Sequence, residues 1–78
     1  MDYTFYYADN STLYLQVGLS SKKKAKKGLE DIAKIFCDKG KVAKGSVSER
    51  KDGKVRVLER YGITYNEENL ILEKRQSQ

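Results

Sequence analysis

The chain has 78 residues, 35% charged and 38% apolar, and carries 16 Lys and Arg against 11 Asp and Glu for a net charge of +5. This length allows one domain with a small core, and the composition fits a folded chain better than a disordered one. Having no histidine and a single cysteine, it lacks the commonest general base, the Ser-His and Cys-His nucleophile pairs, the usual zinc ligand sets and any internal disulfide, so neither an enzyme nor a metal or cofactor is expected.

The first segments, YTFYY at 3–7 and TLYLQVGL at 12–19, have strand composition and are separated by the turn-forming ADNS. A three-residue loop of Asp9, Asn10 and Ser11 pairs Tyr7 with Leu13, Phe5 with Leu15 and Tyr3 with Val17. Every large apolar residue then shares one face except Tyr6 and Tyr14, which predicts this register. The N-terminal MDYTFYYADN has neither a basic start nor an apolar signal core, and no apolar run reaches membrane-spanning length. A cytoplasmic protein without membrane contact is expected.

A helix follows. Ser20 or Ser21 suits its N-cap, and Ala25, Leu29, Ile32, Ala33 and Phe36 form one apolar stripe at helical spacing. Lys23, Lys27, Glu30 and Lys34 line the opposite face, with Glu30 and Lys34 spaced for an i,i+4 pair. Gly40 is the expected stop, near Lys39. Gly28 inside the helix marks a close approach to the sheet, and Cys37 lies beside the apolar stripe as a packing residue.

The stretch KGSVSERKDGKVRVLERYG reads as a second hairpin. A loop of Lys51, Asp52 and Gly53 pairs Val47 with Val57 and Glu49 with Val55, and places Val47, Val55 and Val57 on one face. A two-residue Asp-Gly loop would split the valines, so the longer loop is predicted. In YGITYNEENLILEKRQSQ, Asn66 with Glu67 and Glu68 could cap a short helix, or NEEN could turn between two strands; strands fit better. The end from 75 to 78 is expected to fray. The sum is a single α+β domain over 1–78, ordered β-β-α-β-β-(β), with one helix packed on a curved antiparallel sheet or pseudo-barrel.

The placement of charge bears on function. Lys22, Lys23, Lys24, Lys26 and Lys27 crowd a helix start, where the dipole and free amides already favour anions, so unliganded they repel both each other and the dipole. The predicted registers also leave Tyr6 and Tyr14 paired outside the first hairpin, and Arg50, Lys54 and Arg56 outside the second. Basic groups neutralise phosphates while aromatic rings stack on bases or pack on sugars. The residues expected to contact nucleic acid are therefore Lys22, Lys23, Lys26, Lys27, Arg50, Lys54 and Arg56, with Tyr6 and Tyr14.

The passages VGLSSKKKAKKGLEDIAKIF and SERKDGKVRVLERYG, within about residues 3–62, resemble the archaeal monomeric chromosomal proteins of methanogens. In that family two strands lead through an alanine-rich basic helix to three further strands. The resemblance implies a curved pseudo-barrel that binds double-stranded DNA with little sequence preference and bends it, and it puts Glu49, Arg50, Lys54 and Arg56 in the matching hairpin. The family's proline-rich arm with its tryptophan is missing, since this chain has no Pro or Trp and only NEEN at that place.

The function expected from the sequence is a small, basic, sequence-tolerant nucleic-acid-binding protein. Duplex DNA is favoured, RNA fits the same charges, and a DNA-bound form would be nucleoid-associated. The alternative is a protein-interaction module or inhibitor, of the kind made by viruses or mobile elements, that covers an acidic or nucleic-acid-binding surface of another protein.

Overall fold

The structure is a computed structural model that describes residues 1–75. Strands β1 (Asp2–Ala8) and β2 (Leu13–Leu19) lead into helix α1 (Lys22–Phe36), which is followed by β3 (Val42–Lys51), β4 (Lys54–Asn66) and β5 (Asn69–Arg75). The strands form an open antiparallel sheet in the order β2-β1-β3-β4-β5. The expected α+β class and element order are present. The C-terminal segment is a strand paired with β4 rather than a helix. Arg75, where fraying is expected to start, belongs to β5, and the rest of that expected tail, residues 76–78, lies outside the described residues.

The helix covers one face of the sheet over β1 and β3. Ala25, Leu29 and Ala33 from its stripe are buried with Phe5, Tyr7, Ala43, Val47, Tyr61 and Ile63 from the strands. The two layers interlock at two glycines. A Cβ on Gly28 would stand 2.5 Å from the Phe5 ring, and a Cβ on Gly45 would stand 2.6 Å from Leu29 Cδ1 and 2.8 Å from the Tyr6 carbonyl oxygen. Gly28 is therefore the close approach its position in the sequence suggested. Cys37 is buried, and burial pushes its thiol pKa upward.

The helix begins where expected, with Ser21 in an extended conformation and its hydroxyl accepting from Lys24 N at 3.1 Å. It stops earlier than Gly40. Cys37 turns extended while its N–H still donates to the Ala33 carbonyl, and Gly40 (φ 80°) instead shapes the following turn. The expected Glu30–Lys34 pair is absent among the described residues, and Lys27 reaches Asp31 at 3.1 Å on that helix.

Both hairpin registers differ from the sequence reading. In the first, Ala8 pairs with Leu13, Tyr7 with Tyr14, Tyr6 with Leu15 and Phe5 with Gln16. The loop has four residues because the Asp9 carboxylate organises it. Its Oδ1 accepts from Ser11 N and Thr12 N, both at 2.7 Å, and its Oδ2 accepts from the Tyr7 hydroxyl at 2.5 Å. These bonds draw Thr12 out of the strand and into the turn. The one-residue slip turns Tyr14 to the helix side, where it stacks on Phe5 at 5.8 Å and lies 6.5 Å from the Phe36 ring. It sends Leu13, Leu15 and Val17 to the open face. A bulge at Gly18 (φ 80°) then restores Leu19 to the helix side opposite Tyr3.

In the second hairpin the loop is the two-residue Asp52-Gly53, with φ of 53° and 76°, so both residues occupy the left-handed region that a type I′ turn requires. Lys51 pairs with Lys54, Glu49 with Arg56 and Ser48 with Val57. An extra residue in β4 then resets the ladder so that Val47 meets Glu59. The valines are split as a consequence. Val47 is buried under the helix, while Val55 and Val57 are 62% and 38% exposed on the other face.

Gly28→Ala should destabilise the protein by about 1–3 kcal/mol through overpacking against Phe5, although alanine is the better helix former by about 1 kcal/mol. Urea denaturation of the two proteins measures this, and an unchanged or higher midpoint would show that the layers are not in tight contact here.

Candidate nucleic-acid interface

The basic residues of the sequence analysis do not all share one surface. Strand alternation puts Glu49, Lys51, Lys54 and Arg56 on the helix side of the sheet, together with Tyr3 and Val47, and puts Arg50 on the open side. The tip of the β3–β4 hairpin projects past the start of β1 at the end of the molecule where the helix begins, and the molecule measures 41 × 26 × 21 Å. The helix-start lysines and the Lys51, Lys54 and Arg56 row therefore occupy the same end and the same side. Arg50 leaves this group. On the opposite face its guanidinium holds Asp2 through two hydrogen bonds of 2.6 and 3.0 Å, Nη2 to Oδ2 and Nε to Oδ1.

Glu59 anchors the basic end. Its side chain is 11% exposed and receives Lys22 Nζ at 2.9 Å, Lys74 Nζ at 2.5 Å and the Tyr61 hydroxyl at 3.0 Å. These donors, led by Lys74 and then Lys22, hold its carboxyl pKa down at about 2. Burial, reinforced by Glu59, pushes the Tyr61 hydroxyl up to about 12. Lys26 lies over the Tyr61 ring at 5.7 Å from the centroid, a cation–π contact that leaves its charge without a carboxylate partner.

Carboxylates pair with Arg56 (Glu49, 2.7 Å) and Lys27 (Asp31, 3.1 Å). Among the described residues, no carboxylate oxygen lies within 4 Å of Lys23, Lys24, Lys26, Lys51 or Lys54. Lys51 and Lys54 are direct cross-strand partners of like charge, an arrangement that destabilises a free hairpin. The first helical turn contains no acidic residue.

The tyrosines expected beside these charges lie elsewhere. Tyr14 packs between the sheet and Phe36. Tyr6 lies on the open face in a row that crosses all five strands: Leu15, Tyr6, Ser46, Arg60 and Arg75. Lys51, Lys74 and this transverse row escaped the sequence reading. A two-residue Asp-Gly turn would have revealed Lys51 opposite Lys54, whereas the Arg60–Arg75 pairing depends on a β4–β5 register that no residue pattern specifies.

Among the described residues no group of three or more His, Cys, Asp or Glu side chains is placed to hold a metal ion, and no helix is long and apolar enough to cross a membrane. A depression of about 420 Å³, open to solvent, is floored by Lys22, Glu59, Arg60, Lys74 and Arg75. No family model, curated protein or solved structure matches the chain.

Because the folded-state pKa of Glu59 lies below its ordinary value of 4.5, its contribution to stability is complete above about pH 5 and is lost as pH falls toward 2. Thermal melts from pH 7 to pH 2 should show Glu59→Gln less stable than the parent near neutrality, with the difference closing at the acid end. A difference that does not change with pH would show that the Glu59 charge contributes nothing.

Proposed function

We propose that this protein binds nucleic acid, duplex DNA in the first instance, through the phosphate backbone and with little sequence preference. The observation that carries the reading is the shared position of the helix start and the Lys51–Lys54 hairpin row, two groups of like charge that lack enough acidic partners. A phosphate backbone across this end would relieve the repulsion within each group, and the free amides of the first helical turn add to the attraction. The contacts are assigned to Lys22, Lys23, Lys26, Lys27, Lys54 and Arg56. Lys22 would bridge Glu59 and a phosphate. Arg50 is left out because Asp2 neutralises it on the opposite face, and Tyr6 and Tyr14 are left out because neither is at this end. With Tyr6 and Tyr14 away from this end, the contacts assigned are to the phosphate backbone, which is why sequence tolerance is expected. The resemblance to methanogen chromosomal proteins favours a duplex over a single strand.

Six phosphate contacts give a slope of about −5 for log affinity against log salt concentration. Replacing Lys23 and Lys27 together by glutamine should make the slope shallower by about 2 and weaken binding equally for unrelated duplexes. Filter binding at several salt concentrations, with duplex DNA, single strands and RNA side by side, provides the measurement. A flat salt dependence, or no binding at low salt, would refute the reading.

A second reading is a protein-interaction module that applies the same basic end to an acidic protein surface. The position of Tyr6 and Tyr14 away from that end favours it. A purified acidic partner that stays bound after nuclease treatment, with no direct shift of duplex DNA, would replace the first reading by this one.

A further inference from the structure

The open face of the sheet divides into two halves. Lys44, Arg60 and Arg75 stand on β3, β4 and β5, whereas β2 presents Leu13, Leu15 and Val17 on the same face at 72%, 63% and 51% exposure. β2 is also a terminal strand, so among the described residues one side of its backbone has no strand partner. Natural edge strands are guarded by charge, proline or a covering element. The other edge follows that rule with Glu73, Lys74 and Arg75 on β5. β2 does not, because residues 10–21 contain no charged side chain and no proline in a chain that is 35% charged. Above the edge on the helix side, Phe36 packs near the Tyr14 ring, and its neighbour Ile35 is 68% exposed. The edge is thus apolar on both flanks.

We infer that β2 pairs with β2 of a second copy of this chain, antiparallel about a two-fold axis, to form a continuous ten-stranded sheet.

Charge selects both the partner and the direction. Two chains of +5 repel each other wherever their lysines and arginines meet, and residues 10–21 form a charge-free stretch that includes the whole of β2. Parallel pairing would set the two lysine-rich helix starts side by side just beyond Leu19. Antiparallel pairing sends them to opposite ends of the dimer. A two-fold axis at Leu15 makes the contact self-complementary, with Leu15 facing its copy and Leu13 facing Val17 of the partner subunit in both directions. The Asp9 turn bounds this ladder on one side and the Gly18 bulge bounds it on the other. The basic ends assigned to nucleic acid remain uncovered, so the dimer does not depend on that assignment.

Sedimentation equilibrium should give twice the 9.0 kDa chain mass for the parent protein, and the Lys23→Gln, Lys27→Gln double variant should give the same dimer. Leu15→Lys places a charge in the middle of the free edge and should give a monomer with an unchanged circular dichroism spectrum. Because cross-strand Cα atoms stand about 4.5–5.5 Å apart, within the range of a disulfide, Leu15→Cys treated with copper phenanthroline should become a covalent dimer. Val55→Cys, similarly exposed but remote from β2, should not. A parent protein that stays monomeric up to millimolar concentration, a Leu15→Lys variant that remains dimeric, or cross-linking of Val55→Cys as fast as Leu15→Cys would each overturn the inference.

Discussion

The fold depends on how closely helix and sheet approach each other at two glycines. Gly28 gives up its side-chain volume to the Phe5 ring, and Gly45 gives up its volume to Leu29. Each glycine lies in one layer and receives a large residue from the other, so the contact is reciprocal. A chain of this size can bury few side chains, and it gains packing density by removing Cβ atoms at the seam rather than by adding apolar mass. Glycine within a helix costs about 1 kcal/mol against alanine, which the close contact offsets. The approach also fixes the rotation of the helix. With Leu29 over Gly45, the Lys22 and Lys26 side faces β4, where Glu59 and Tyr61 receive them.

From that rotation follows the charge pattern of the basic end. Glu59, buried to all but 11% and bonded to three donors, ties the helix start, β4 and β5 together. It removes part of the excess positive charge from the interior side and leaves Lys23, Lys24, Lys51 and Lys54 to point outward without carboxylates within 4 Å among the described residues. One carboxylate thus serves as structural counter-ion, and the remaining cations are available to a polyanion in the proposed function. Arg50 and Asp2 form a self-contained pair on the far face and add no net charge there.

The two sheet faces have different chemistry because one helix can cover only one of them. On the open face the centre is floored by short side chains, Thr4, Ala8, Ser48 and Gly62, which their taller neighbours shield from water. Gly62 in particular lets the Arg75 guanidinium lie across the sheet, with Nε 2.8 Å from where a Cβ would stand. The larger apolar residues are displaced to the margins, at β2 and near the tip of the β3–β4 hairpin. Exposed leucines on an uncharged edge are costly for an isolated chain, and pairing of two edges removes both the apolar surface and the unpaired backbone groups together.

The sequence by itself determined the order of the first five elements, the helix start at Ser20 or Ser21, the apolar stripe on α1, the role of Gly28 and the burial of Cys37. All of these are local signals, written in capping chemistry and helical period. It also showed where the lysines would cluster, because a helix start is set by a few adjacent residues. Only the tertiary structure decided the strand registers, and with them the side on which each tyrosine, valine and arginine stands. In a strand the side-chain period is two, so a single residue taken into a turn reverses every side chain beyond it. Asp9 took Thr12 into the first turn, and Asp52 and Gly53 closed the second turn one residue tighter than the valine pattern favours. Those two small differences moved Tyr14 under the helix, brought Leu13, Leu15 and Val17 to the surface and separated Arg50 from Lys54 and Arg56. Apolar pattern alone could not foresee this, because the Asp9 side-chain hydrogen bonds in the first turn and the left-handed backbone of Asp52 and Gly53 in the second outweighed the gain from gathering every large apolar residue on one face.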